Sequence, residues 1–234
     1  MEPGYWQQRW ADGRIGFHRD EVNPRLREHW HRLAPGPGER VFVPLCGKAL
    51  DLPWLAGQGV TPVGVELSAR AVAELFDEHG IAAQRRCAGK LECWQGGGME
   101  IHCGDFFDLA PEEVGAVAAV WDRAALIALP ADMRADYVAH CARLLPAGAR
   151  LLLVTMAYAD DGIAGPPFSV RPAEVESVYG PWFHVAALER DTPGDAPGDL
   201  AAQGVAQTRE SVWLLQRNDE TVPPGNPAPT PTAT

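Results

Sequence analysis

The sequence lacks the features that would assign it to a membrane, a nucleic acid or an oxidising compartment. No apolar run approaches the ~20 residues needed to cross a bilayer. Basic clusters are missing, and the formal charge is −11, which argues against polyanionic partners such as nucleic acid or an anionic lipid surface. The five cysteines (Cys46, Cys87, Cys93, Cys103 and Cys141) are an odd number. None is spaced Cys-x-x-Cys and no tight Cys/His grouping occurs, so neither a disulfide framework nor a metal site is predicted. The opening stretch, MEPGYWQQRWADGRIGFHRDE, has no apolar signal core. These absences predict a soluble cytoplasmic protein with free, mostly buried thiols. Without an apolar seam in the pattern, a monomer is expected.

A glycine-rich phosphate loop is also missing, at the place where an α/β chain would carry one. Residues 41–66 read VFVPLCGKALDLPWLAGQGVTPVGVE. An apolar run ends at Gly47, a short helical segment follows, and a second apolar run ends on Glu66, 19 residues after the glycine. That spacing fits a strand, a crossover helix and a parallel return strand, which is right-handed in nearly all proteins. Gly47 and Glu66 then share the carboxyl edge of one sheet, where backbone near the glycine approaches a ligand and the acid accepts ribose hydroxyls. A dinucleotide would want G-x-G-x-x-G, but the turn Leu45–Leu50 has one glycine; a Walker loop would want Ser or Thr after the lysine, but Lys48 precedes Ala49. An adenosine without phosphates fits better, and S-adenosylmethionine is the usual cofactor of that kind.

Further elements follow in alternation. Ser68 is a plausible N-cap for a helix carrying Val72, Leu75, Phe76 and His79, closed by Gly80. Residues 82–98 read as irregular. Strands are predicted at Met99–Phe107, ending on Gly104-Asp105, at Ala116–Arg123 with a polar tip of Asp122 and Arg123, and at 150–158. Asp132 is expected to cap a helix bearing Tyr137, Val138, Cys141, Leu144 and Leu145. A helix near Pro172–Tyr179 and late strands at 183–190 and 211–217 complete the set, with 191–210 read as a surface loop rather than a cover. The pattern predicts an α/β fold with a doubly wound, seven-stranded, mostly parallel sheet and an antiparallel last strand. One domain spans 1–217, and the Pro-rich residues 218–234 read as a disordered tail. Asp105 can bond the adenine amino group, with Phe106 stacked on or beneath the ring. Asp122 reads as a cofactor or structural carboxylate, pairing with a neighbouring cation being the plainer alternative.

Several motifs together resemble the thiopurine S-methyltransferase family. They are W-x-x-x-W-x-x-G-x-I-x-F-H (Trp6 to His18), V-F-V-P-L-C-G-K-A-x-D-L-x-W-L (Val41 to Leu55), G-V-E-L-S (Gly64 to Ser68), G-D-F-F-D-L (Gly104 to Leu109), W-D-R-x-A-L-x-A-L (Trp121 to Leu129) and G-P-P-F-x-V (Gly165 to Val170). The resemblance implies a class I, Rossmann-like methyltransferase that moves methyl from S-adenosylmethionine to a soft thiol or chalcogen in a detoxifying role. It implies cofactor contacts at Trp10, Leu45, Glu66 and Arg123, with Asp105 and Phe106 near adenine. It places Phe17, His18 and Arg123 at the substrate, Arg123 and His18 being the catalytic candidates, and makes residues 1–30 a lid over the cofactor. It also implies a substrate-side arginine before the last strand, whereas 191–208 contains none and Arg209 is the first. Thiopurines or other aromatic thiols are the expected acceptors. Selenium or tellurium oxyanions, sulfide or halide would suit the same geometry, and a non-catalytic nucleoside-binding module would share the sheet.

Overall fold

A computed structural model describes residues 3–159 and 162–219. Within them, α1 (Pro3–Ala11) and α2 (Pro24–Leu33) precede β1 (Arg40–Val43), α3 (Asp51–Gly57), β2 (Thr61–Glu66) and α4 (Ala69–Glu78). Next come β3 (Gln84–Ala88), β4 (Leu91–Gly96), β5 (Met99–Cys103), α5 (Pro111–Val114), β6 (Val117–Arg123), α6 (Ala125–Ala128) and α7 (Ala131–Leu144). The chain closes with β7 (Arg150–Ala157), α8 (Pro172–Tyr179), β8 (Phe183–Asp195), α9 (Gly198–Ala201) and β9 (Gln207–Arg217).

The strands form one sheet in the order β3-β4-β5-β2-β1-β6-β7-β9-β8. The five central strands, β5 to β7, pair in parallel; both flanks are antiparallel. Side-chain alternation along each strand feeds two cores. Phe42, Val120, Leu151 and Leu153 face α7 and α8, while Val41, Val43, Trp121 and Leu152 face α2, α3 and α4. Burial on both faces explains the continuous apolar runs of β1 and β7.

The α/β class and the antiparallel end are as predicted, but the sheet has nine strands, not seven. The additional pair, β3 and β4, occupies the stretch read as irregular. Its first strand, QRRCA, is exposed at four of five positions and sits at the sheet edge, so it shows no apolar alternation. The glycines that suggested irregularity form the β4–β5 turn, with Gly97 and Gly98 at φ +58° and +77°. Asp132 does not cap α7; Pro130 holds the N-cap position, and Asp132 lies in the first turn, where its charge suits the helix dipole. Ser68 does cap α4, accepting the Ala71 amide. Helix α2, absent from the sequence reading, has Asn23 as cap and Pro24 at its start. Leu26 and Leu33 bury its inner face, so residues 24–33 belong to the core.

The late strands extend past their predicted ends, forming a hairpin arm that pairs as far as Asp195 and Gln207. Pro193 and Gly194 in β8 concealed it. Asn218 still bonds the Trp182 carbonyl at 3.0 Å. The rest of the predicted tail, from residue 220, lies outside the described residues.

Candidate functional site

The strand order reverses at β1, which lies between β2 and β6, and ligands of open α/β sheets bind at such a switch point. There the tips of β1, β2 and β6 open on a cavity of about 350 Å³. Trp10, Phe17, His18, Leu45, Glu66 and Arg123 all line it. Six of the eight predicted site residues therefore converge from four separate stretches of chain.

The floor is the β1 turn. Cys46 donates its amide to the Val65 carbonyl at 3.0 Å, extending the β1–β2 pairing beyond the strand. Gly47 adopts φ +53°, and a Cβ there would stand 3.3 Å from the Trp10 ring. Only glycine meets both demands without strain. Leu45 and Ala124, also in the wall, hold φ of +46° and +72°. Non-glycine residues in this region are strained, and such strain concentrates at ligand sites.

Glu66 is buried. One carboxylate oxygen accepts the Gly47 amide at 2.9 Å and the other the Ser68 amide at 2.8 Å. Burial raises its pKa, opposed by the amides of Ser68, Gly47 and Leu67. Each oxygen retains a lone pair for a further donor. Lys48, the cation next to this turn, is held by Glu74 at 2.9 Å and by Glu78, so it offers no charge to a phosphate.

The roof comes from the N-terminal segment. Trp10 and Trp6 each meet Phe17 edge-on with ring centroids 5.6 Å apart. Arg9 reaches Asp199 of α9 at 2.6 Å and lies over the Phe17 ring. Pro197, Gly198 and Asp199 line the cavity, so the segment read as a surface loop forms part of its wall. Asp51, which the sequence reading gave no role, ties roof to sheet: it accepts the Asn23 amide and the Trp121 indole N–H, both at 2.8 Å. Its position within the quoted K-A-x-D-L motif was the signal available.

Arg123 donates to the Phe17 carbonyl at 3.2 Å, and among the described residues no carboxylate pairs with it. Burial pulls its pKa down, and the charge of Arg19 adds to the effect. His18 is likewise lowered, first by burial and then by Lys48. Asp122, one residue earlier on β6, faces the opposite core. Its partners are the hydroxyls of Tyr137 at 2.7 Å and Tyr179 at 3.4 Å, not a neighbouring cation.

Asp105 and Phe106 do not line this cavity. They follow Gly104, whose amide bonds the Glu66 carbonyl, so they stand just beyond the Glu66 tip. The Asp105 carboxylate accepts the Phe107 amide and starts a 3-10 turn; this carries Phe106 inward against Tyr137 and His140, 4.9 and 4.8 Å between centroids. Pairing of β4 and β5 also brings together Cys93, Glu100 and His102, with possible ligand atoms within 4.8 Å of one another. Glu100 is already engaged by His102, Gln95 and Arg40, and the positive charge of Arg40 and Arg86 opposes a bound cation.

Residues 1–218 match the model of the thiopurine S-methyltransferase family. A thiopurine S-methyltransferase of Pseudomonas putida is 49% identical over 218 residues, covering 93% of this chain and 100% of that protein. One from Pseudomonas entomophila is 52% identical over 217 residues, with the same coverage. Among solved structures, an SAM-dependent methyltransferase from Anabaena variabilis superposes with a TM-score of 0.61 over 92% of this chain and 95% of that one; at 13% identity this likeness concerns the fold. By its sequence over nearly its whole length, the chain belongs to the thiopurine S-methyltransferase family.

Proposed function

We propose that this chain transfers the methyl group of S-adenosylmethionine to the sulfur of a thiopurine or another aromatic or heterocyclic thiol by in-line displacement. Family membership supports methyl transfer, and the SAM-dependent neighbour supports the donor. The observation that carries the reading is the pairing of Glu66 with Gly47 beneath Trp10, with Arg123 opening on the same cavity. The fit to the donor is chemical as well as steric. A buried acid suits ribose hydroxyls, the bare glycine admits close approach, and the lack of a free cation at the turn disfavours a pyrophosphate.

When bound, the donor supplies a methyl group on a positively charged sulfur. The residues of the chain then have three tasks. Glu66 and the Leu45–Gly47 turn hold the nucleoside, with Asp105, just beyond the Glu66 tip, on the side of its adenine. Trp10 and Phe17 cover the site and exclude water, so residues 3–19 act as the lid while residues 24–33 anchor it. Arg123, permanently charged, favours the thiolate form of the acceptor. His18, whose burial favours the neutral imidazole, accepts the thiol proton directly or through water. Alignment of acceptor and donor can supply roughly 7–11 kcal/mol of the barrier reduction.

A panel of thiopurines, thiophenols, sulfide, selenite and tellurite with labelled donor tests this. Labelled thioethers from the aromatic thiols are expected. Methylation confined to the inorganic acceptors would overturn the aromatic assignment.

A further inference from the structure

Four permanently basic side chains line the cavity: Arg9, Arg19, Lys48 and Arg123. Two are neutralised, Arg9 by Asp199 and Lys48 by Glu74 and Glu78. The other two form no ion pair among the described residues. Arg123 has only the neutral Phe17 carbonyl, and Arg19 has no hydrogen-bond or ion-pair partner among the described residues.

No acid of the cavity forms an ion pair with Arg19 or Arg123 among the described residues. Asp51 serves the Asn23 amide and the Trp121 indole, and Glu66 serves the Gly47 and Ser68 amides. Glu210 holds Arg25 at 2.9 Å, and Asp199 holds Arg9. Among the described residues, Glu21 is the cavity acid without a partner, and it is exposed to water. Arg19 is near enough to Arg123 for its charge to disfavour the Arg123 cation, which Asp51 and Glu210 favour. Their neighbour His18 is pushed toward the neutral form by burial, by Lys48 and by Arg123, although Glu78 and Asp20 oppose this. Two like charges facing one partly desolvated space repel each other, and an entering anion relieves the repulsion.

The two guanidiniums sit on different elements. Arg123 is fixed at the tip of β6, half-buried. Arg19 lies in the roof segment two residues after Phe17 and is exposed. One negative atom on the acceptor suffices for Arg123, which leaves Arg19 to meet a second. We infer that Arg19 is a specificity-determining residue, holding a carboxylate or equivalent oxyanion on an acceptor whose thiolate faces Arg123. The inference rests on the cavity being the acceptor site of a thiol methyltransferase. It favours aromatic thiols that carry an acidic group over uncharged ones, since a planar guanidinium binds a carboxylate through two parallel N–H donors.

The test compares 4-mercaptobenzoate with thiophenol as acceptors for the wild type, Arg19→Gln and Arg19→Lys. The wild type should prefer 4-mercaptobenzoate. Arg19→Gln should raise KM for it by about tenfold or more, the loss of one charge-assisted pair, and leave thiophenol within about twofold. Arg19→Lys should restore part of the difference. Equal S-adenosylhomocysteine affinity in all three proteins would show the fold intact. In parallel, calorimetry measures benzoate binding to the S-adenosylhomocysteine complex, and Arg19→Gln should abolish it. Equal losses with both acceptors, or unchanged KM and benzoate binding, would overturn the inference. If the wild type methylates neither thiol, the proposed activity fails, while the benzoate measurement still decides the role of Arg19.

Discussion

The carboxylate of Glu66 accepts the amide hydrogen of Gly47 at 2.9 Å, joining the tip of β2 to the turn after β1. One acid thereby shapes the floor of the cavity and offers it lone pairs. Glu66→Ala removes both roles, and we expect S-adenosylmethionine affinity to fall by roughly 3 kcal/mol, on the order of 100-fold. Titration calorimetry reads this directly, and unchanged affinity would reject the ribose assignment.

Arg123→Ala should depress turnover more at low pH than at high pH. The thiolate fraction falls as pH drops through the thiol pKa, and without the guanidinium that pKa lies higher in the site. The acidic limb of the kcat profile, which reports groups in the enzyme–substrate complex, should therefore move up in pH. A limb that stays in place, with only the plateau lowered, would argue for positioning rather than thiolate stabilisation.

Asp122 provides a pH test of the fold. Burial raises its carboxyl from 3.8 to about 6, against the pull of the Tyr137 hydroxyl and nearby donors. A raised acid binds its proton more tightly in the folded state, so the associated stability is full below 3.8 and is lost as pH rises through about 6. Asp122→Asn cannot titrate. Its stability relative to the wild type should improve by about 3 kcal/mol between pH 3.5 and 7.5. Denaturant curves at the two pH values give the comparison, and a constant difference would contradict the burial argument.

The Arg9–Asp199 pair joins residues 190 apart and closes the roof. Asp199 is about half exposed, so the pair should add no more than about 1 kcal/mol to global stability. We expect Asp199→Asn to leave the denaturation midpoint nearly unchanged while trypsin cuts faster at Arg14 and Arg19. Unchanged cleavage would show that the roof is held by its aromatic contacts alone.

Much of the site was legible in the sequence because its framework is local. The run from Val41 to Glu66 encodes strand, turn, helix and return strand within a single crossover, and Ser68 announces the next helix. The failures lie where local pattern and tertiary role diverge. β3 is polar because its edge faces water, so it does not read as a strand. Asp122 has tyrosine partners from α7 and α8 that no spacing rule predicts. The 191–210 segment takes its role from Arg9, nearly two hundred residues away. Phe106 turns inward because Asp105 caps its own turn, a choice between two faces that composition leaves open.

The α/β order, the lone-glycine turn, the acid at the tip of β2 and the family are each written in contiguous residues whose chemistry permits few alternatives. Which polar groups find partners is set by packing across the fold. Lys48, Arg9 and Asp51 find partners from distant elements, while Arg19 and Arg123 are left facing the cavity. Pairing across a fold depends on which elements the packed core brings together, and periodicity along the chain does not encode that.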